Sequence, residues 1–399
     1  MIEAGSRVFW RATLALCLGS FMIFSNVYVT QPLLPMIASY FKLSALQASW
    51  SFTLSTLTLG LSLLLYGPLS DALGRRRLMQ ISMLGVTLLT FSLFWAEYYP
   101  SLLCLRALQG LCLGGLPAIA IAYMADEFSP AALRVAVGFY IAANTLGGIS
   151  GRLIGGFAGD WLGWQAAFMI MGIVSVISLS LFTWLLPPSQ GFQAHPLKPA
   201  QMSKDMFGHL RNPELLVAYL IGGGNFMIFI TQYSYISFVL SEAPYHLPAR
   251  FIGLLFLTYL SGTLASMLSG RITQSLRQPI AIGLGISLLA GGSLLSLTGD
   301  LIAIICGFLI NAFGFFLAHS VLSSWVSLHA PHARASASSL YLVLYYLGAS
   351  IGGFYLEPFW RWGHWSGVIL GSLIMLSLTF TGTLYLNRRD KYHLSCIAK

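Results

Sequence analysis

Acidic residues are scarce in this 399-residue chain: it has 12 Asp and Glu in all, and charged residues of both signs make up only 8% of it. An average soluble domain carries about 25% charged residues, so a water-soluble fold of this length is excluded for want of polar surface. Cysteine is equally thin. Cys17, Cys104, Cys112, Cys306 and Cys396 form no CxxC pair, and four of them stand in apolar stretches. They read as small core residues, which excludes a disulfide framework or a cysteine metal site. The chain also lacks a Walker A sequence, HExxH and GxSxG. ATP hydrolysis, zinc-protease chemistry and nucleophile-elbow hydrolysis therefore have no residues to work with. The expectation is a protein that is not an enzyme and that uses no cofactor or metal.

What the chain has in abundance is hydrophobic sequence, 57% of the total. Runs near 20 residues recur along its length, and about 20 apolar residues cross the roughly 30 Å hydrocarbon core. The fold class is an all-α membrane protein with twelve transmembrane helices in two six-helix pseudo-repeats. The first six spans fall near 9–37, 46–69, 78–96, 101–127, 132–159 and 166–186. The second six fall near 214–240, 251–270, 279–297, 301–328, 334–357 and 364–386. The first run has no small-residue cleavage site and continues into Pro32 and Pro35, so it reads as a retained span rather than a removed leader. Three regions result: an N-terminal bundle over 1–186, a polar linker over 187–213 with Pro187, Pro188, Pro196, Pro199, Pro213, Lys198, Lys204 and Arg211, and a C-terminal bundle with a short tail over 214–399.

The net charge of +9 is explained by membrane orientation, and no nucleic-acid partner is expected. With both termini in the cytoplasm, sixteen of the 21 Lys and Arg fall on the cytoplasmic side. Lys42, Arg250 and Arg361 fall outside, and Arg106 and Arg152 lie within spans. Such a bias sets orientation, and an odd number of spans would scramble it. The halves echo each other: Gly147-x-x-x-Gly151 with Trp164 matches Gly348-x-x-x-Gly352 with Trp365, each 201 residues on.

One short connection concentrates the charge. Gly67-Pro68-Leu69-Ser70-Asp71-Ala72-Leu73-Gly74-Arg75-Arg76 resembles the signature between spans 2 and 3 of the major facilitator superfamily, G-x-L-x-D-x-x-G-R-[RK]. Ser269-Gly270-Arg271 takes its place in the second half, with Gln274 where Asp71 stands. Arg106-Ala107-Leu108-Gln109-Gly110 resembles the R-x-x-Q-G pattern of drug:proton antiporters in that superfamily. Gly138, Gly147, Gly151, Gly155 and Gly156 resemble their span-5 motif, with Arg152 in place of its proline. Ser150–Ile154, Ala318–Val321 and Ser338–Leu342 further resemble a group of bacterial inner-membrane transporters. The resemblance implies two parallel six-helix repeats with substrate bound between them, in a multi-pass protein of the bacterial inner membrane that works as a monomer. It also implies that Asp71 faces the N-terminal end of span 11, and that Arg75 or Arg76 meets Asp126 or Glu127.

Arg106 and Arg152 are expensive, since an arginine at the bilayer centre costs about 2.5–3.5 kcal/mol on insertion scales. Each must face a partner, face a cavity, or snorkel to the outer surface. No acidic residue lies in the middle of a span, and Glu97 and Asp160 are the nearest counter-charges by depth. This motivates the expectation of an anionic substrate bound by the two arginines.

Span 1 carries no carboxylate, which puts proton coupling in question. His319 is the one histidine well inside a span, and it reads either as a titrating group or as a hydrogen-bonded structural one. Asn26 with Thr30, Asn225 with Phe229 and Gln232, and Asn311 with Phe315 and His319 recur at helical spacing. They read as pathway residues or as interhelical hydrogen bonders. Tyr341, Tyr345 and Tyr346 read as packing residues or as walls of an amphipathic site. Gly147, Gly151, Gly155 and Gly159 form a smooth stripe, either a static packing seam or a sliding one against the second half.

The leading function is secondary transport of a small molecule by alternating access, as an exporter with proton antiport. A facilitator or symporter of a small organic anion is the alternative within transport, and a transport-derived receptor is the alternative from another class.

Overall fold

Capping residues, prolines and glycines cut the apolar runs into helices. The computed structural model describes residues 1–189, 199–330 and 334–397. Helix α1 (Arg7–Tyr28) opens on Ser6, whose hydroxyl accepts the Phe9 N–H at 3.1 Å. Pro32 and Pro35 then divide the first span: a 3-10 turn at Gln31–Leu33 separates α1 from α2 (Leu34–Phe41). Helix α3 (Ala45–Leu73) begins with a capping box, Ser44 and Gln47 each bonding the other's backbone N–H.

After α4 (Arg75–Ser92), the fourth span is divided at Gly114 into α5 (Tyr99–Leu113) and α6 (Gly115–Glu127). Helix α7 (Pro130–Leu162) starts with Ser129 as cap and proline at its first position, and α8 (Trp164–Leu185) follows. Within the region expected as linker, Pro199–Arg211 forms a helix, α9, which the density of proline and charge had hidden. The rest of the linker from 190 to 198, including Pro196 and Lys198, lies outside the described residues.

The second set runs α10 (Pro213–Ser241), α11 (Ala249–Leu255), a 3-10 turn at Phe256–Thr258, α12 (Tyr259–Ser275), α13 (Gln278–Leu295), α14 (Leu301–His329) and α15 (Arg334–Ile397). Among the described residues eleven helical segments are long and apolar enough to cross a membrane, and the last, Ser336–Asp390, has 55 residues. At 1.5 Å per residue that is about 80 Å, far too long for one crossing. Gly363 and His364 leave helical geometry within it, His364 with φ 46°, so it makes two spans and the count is twelve. Among the described residues the only extended pairing is an isolated bridge between Ile2 and Phe128.

Contacts group the chain into two units. One comprises Met1–Pro199 with Ser237–Phe256, and the other Ala200–Ile236 with Leu257–Lys399.

Inside the units the repeat reappears as packing. A Cβ at Gly147 would lie 2.6 Å from Phe21 O, and one at Gly151 would lie 2.6 Å from Ser25 Cα, so α7 rests on the backbone of α1. In the other unit, a Cβ at Gly348 would lie 2.7 Å from Gly223 C, and one at Gly352 would lie 2.9 Å from Met227 O. The paired glycines are 201 residues apart and their partners 202. The same close approach, small residue against backbone, is thus built twice.

Candidate functional site

The Asp71 connection is a sharp corner. Gly74 sits at φ 96°, ψ 131° between α3 and α4, a conformation that a side chain would strain. Just before it, Pro68 removes one helical N–H, and the Ser70 hydroxyl donates to Gly67 O at 2.7 Å. A Cβ at Gly67 would meet nothing within 4 Å, so packing does not demand glycine there.

The corner throws Arg75 between two carboxylates. Its Nη1 lies 3.0 Å from Asp71 Oδ1, and its Nε pairs with Asp126 Oδ2 of α6. Arg76 turns elsewhere and donates to Thr183 O of α8 at 3.3 Å, while Glu127 accepts from the Ser189 hydroxyl at 2.6 Å. Residues 331–333, which lead into the end of span 11 that the resemblance sets against Asp71, lie outside the described residues.

Deeper in the same unit a polar network joins five helices. Arg106 of α5 is fully buried. It donates from Nε to Ser51 O of α3 at 3.1 Å, from Nη1 to Asn26 O and from Nη2 to Val27 O of α1 at 3.2 Å each, and also to Gln109 Oε1. Gln109 Nε2 donates to Thr90 of α4 at 2.7 Å and to Asn26 Oδ1 at 3.3 Å. The Thr90 hydroxyl bonds Asn26 Oδ1 at 2.7 Å, and Asn26 Nδ2 donates to Ser175 of α8 at 2.9 Å. Arg106 therefore does not snorkel. Three helix carbonyls and an amide hold its charge inside the bundle, so its partners are neutral and an anionic substrate is not needed to explain it.

Arg152 of α7 is also fully buried rather than drawn to the surface. Its Nε donates to Gln31 Oε1 at 2.8 Å and its Nη1 to Gly148 O at 3.0 Å. Its guanidinium carbon stands 3.9 Å from the Tyr28 ring centroid and 4.5 Å from that of Phe256. Aromatic faces attract such a cation. Asp160, expected as a counter-charge for the arginines, instead binds Arg250 at 2.8 Å.

The glycine stripe packs within its own unit, as the packing alternative had it. Gly147, Gly151, Gly155 and Gly159 all face α1 and the Val29–Leu33 stretch that follows it, not an element of the second half. The approach to α11 uses a different face of α7: a Cβ at Gly156 would lie 2.7 Å from Ala249 O and 3.2 Å from Gly253 Cα. A four-residue spacing identifies a smooth face but not its partner.

The other unit has its own polar cluster. Gln232 Oε1 of α10 accepts from Ser293 of α13 at 3.0 Å and from Asn311 Nδ2 of α14 at 2.9 Å, and Asn311 also reaches the Ser293 hydroxyl at 3.0 Å. Close approach at Gly292 and Gly307 brings these two helices together. Ser293 and Asn311 stand 203 and 202 residues after Thr90 and Gln109, so the polar pair is duplicated too. Phe308 is 202 residues after Arg106 and packs edge-on against Tyr233 at 4.6 Å. Among the described residues the second cluster consequently has no cation.

His319 Nδ1 lies 2.8 Å from the Tyr341 hydroxyl, and its ring stacks on Phe315 at 5.8 Å. Phe315 stacks on Phe229 at 4.0 Å, and Phe226 on Tyr345 at 3.6 Å. Asn225 is buried and joins neither polar cluster among the described residues.

One feature escaped the sequence reading. Glu357 of α15 is buried, accepts from the Tyr235 hydroxyl of α10 at 2.9 Å and pairs with Arg361 at 2.8 Å. The four-residue spacing of Glu357 and Arg361 was the available signal.

Comparison with known proteins agrees with this architecture. The family model described as Major Facilitator Superfamily matches residues 16–353. The MFS-type transporter YybF of Bacillus subtilis is 35% identical over 389 residues, 96% of this chain and 95% of the relative. The inner membrane transport protein YnfM of Escherichia coli is 34% identical, covering 97% and 93%. Among solved structures, an occupied, inward-facing bacterial homologue of the human lysosomal transporter Spinster superposes with TM-score 0.74 at 15% identity, covering 96% of this chain and 98% of the other. A D-xylose–proton symporter gives 0.72 at 16% identity, covering 94% and 99%. The chain belongs to the Major Facilitator Superfamily and is a multi-pass membrane transporter, not an enzyme.

Proposed function

We propose that this transporter exports a small organic molecule across a bacterial inner membrane in exchange for protons. It works as a monomer by alternating access of two six-helix halves, residues 1–186 and 214–399, joined by 187–213. The observation that carries the reading is the Arg106–Gln109 pair. These positions resemble the R-x-x-Q-G pattern of drug:proton antiporters, and they form the hub of a buried network across five helices. A cation held by neutral groups in a low-dielectric interior responds strongly to any change of charge nearby, which is what a coupling element requires.

The Asp71–Arg75–Asp126 cluster supports an inner gate that closes the cytoplasmic side in the outward-facing state and opens when its contacts break. The Lys and Arg bias supports cytoplasmic placement of both termini and of this cluster. Purified protein in lipid vesicles, assayed for flux of a compound panel with and without an imposed pH gradient, tests the reading. Gradient-driven export is the expected result. Flux that ignores the gradient would leave a facilitator.

A further inference from the structure

We propose that Glu357 is the proton-binding carboxylate of this transporter, with Tyr235 and Arg361 as the groups that let it hold or release a proton. The proposal rests on the proton-exchange reading above and assigns it a residue.

A buried ionisable side chain is costly unless it is paired and hydrogen-bonded, and such a group is a candidate functional site. Glu357 stands at the end of span 11, 334–357, and is nevertheless only 7% exposed. Among the described acidic residues only Glu127 is comparably buried. Among the described residues, Tyr235 from α10 and Arg361 from its own helix bond Glu357. Trp360 covers Tyr235 at 5.0 Å, and His364 stands against the far side of this layer, 5.2 Å from Trp360.

The geometry serves both charge states. With Glu357 ionised, the Tyr235 hydroxyl donates to Oε2 and Arg361 Nε donates to Oε1. Gly353 O lies 3.4 Å from the same Tyr235 oxygen. When a proton from water adds to Oε2, the new carboxyl O–H donates to Tyr235 Oη, and the phenol hydrogen rotates to Gly353 O. No buried donor is left without an acceptor, so the neutral state is not penalised by an unmade hydrogen bond. Arg361 loses its counter-ion in that step, and its side chain is 73% exposed, so water takes over its solvation. Proton binding thus exchanges an ion pair for a neutral carboxyl and a solvated arginine.

The test uses the full chain in lipid and the proton itself as probe. Infrared difference spectra between acid and alkaline buffer are recorded for the wild type, Glu357→Gln, Tyr235→Phe and Arg361→Gln. The wild type is expected to show a titrating carboxyl band that vanishes in Glu357→Gln and shifts in frequency in Tyr235→Phe. In Arg361→Gln the band should change as well, because the bond from Arg361 Nε to Oε1 is gone. A wild-type carboxyl difference spectrum that persists unchanged in Glu357→Gln would overturn the proposal, as would no titrating carboxyl in the wild type. The vesicle assay separates this from failure of the export reading. Gradient-driven flux that survives in Glu357→Gln refutes coupling through this residue while leaving the exporter standing. A carboxyl band lost in Glu357→Gln, together with wild-type flux indifferent to the gradient, refutes proton exchange but keeps the proton site.

Discussion

Arg75 at the start of α4 pairs through Nε with Asp126 near the end of α6, while its Nη1 reaches Asp71 on α3. One cation therefore ties three helices at a corner that a glycine with positive φ makes sharp. Asp71 is 46% exposed in its side chain and Asp126 26%, so the cluster is a partly solvated contact suited to forming and breaking.

Breaking that contact is expected to affect transport more than folding. Partly exposed ion pairs contribute about 0–1 kcal/mol to stability. Asp126→Asn should therefore leave the unfolding temperature close to wild type while flux falls severalfold, and Arg75→Asp with Asp126→Arg should recover part of it. Thermal unfolding and vesicle flux, measured on the same preparations, check both halves. Asp71→Asn with unchanged flux and unchanged cytoplasmic accessibility would remove the gate.

The duplicated glycine seams predict matched responses in the two repeats. Gly151→Val and Gly352→Val each drive a side chain into the backbone or side chains of the neighbouring helix. Overpacking of this kind costs about 1–3 kcal/mol. Both variants should unfold at clearly lower temperature, whereas Gly138→Ala, where nothing lies within 4 Å of the added Cβ, should not. A tolerated Gly151→Val would contradict the close approach of α7 to α1.

Arg106 needs its fork and not merely its charge. Lysine keeps the positive charge but presents a single nitrogen, whereas Arg106 spreads its bonds over carbonyls of α1 and α3 and over Gln109. Arg106→Lys is expected to lower stability by about 1–3 kcal/mol, the cost of leaving buried acceptors without donors, and to reduce flux. Thr90→Val, which removes one hydroxyl from the same network, should have the smaller effect. Wild-type behaviour of Arg106→Lys would mean that charge alone is sufficient.

Orientation has its own test. In a chain with Cys17, Cys104, Cys112, Cys306 and Cys396 replaced by serine, a single cysteine at the exposed position of Lys42 should react with an impermeant maleimide added to intact cells. A single cysteine at the exposed position of Arg77 should react only after the membrane is opened. The reverse pattern would invert the charge-based topology.

The residues differ in how far their roles could be read beforehand. Gly74 was legible because a sequence motif and a positive φ coincide at one corner. The span containing Arg106 was legible from hydropathy, but its surroundings were not. The depth of Arg106 suggested reach to the surface, whereas the rotation of α5 turns it towards α1 and α3. The stripe from Gly147 to Gly159 showed which face of α7 is smooth, yet only packing shows that α1 covers it. Asp160, with Glu97, was among the nearest acids by depth to the two buried arginines, but it lies beside Arg250 instead.

The sequence by itself determined that this is a membrane protein of twelve spans in two echoing halves, with scarce charge gathered at one corner. Those properties follow from composition, run length and spacing, each of which is a property of the chain taken in order. Tertiary structure alone decided the partners. It set neutral carbonyls around Arg106, aromatic rings around Arg152, and Tyr235 against Glu357 from 122 residues away. The reason is geometric: hydropathy fixes how deep a residue lies, but the rotation of each helix about its axis fixes what it meets.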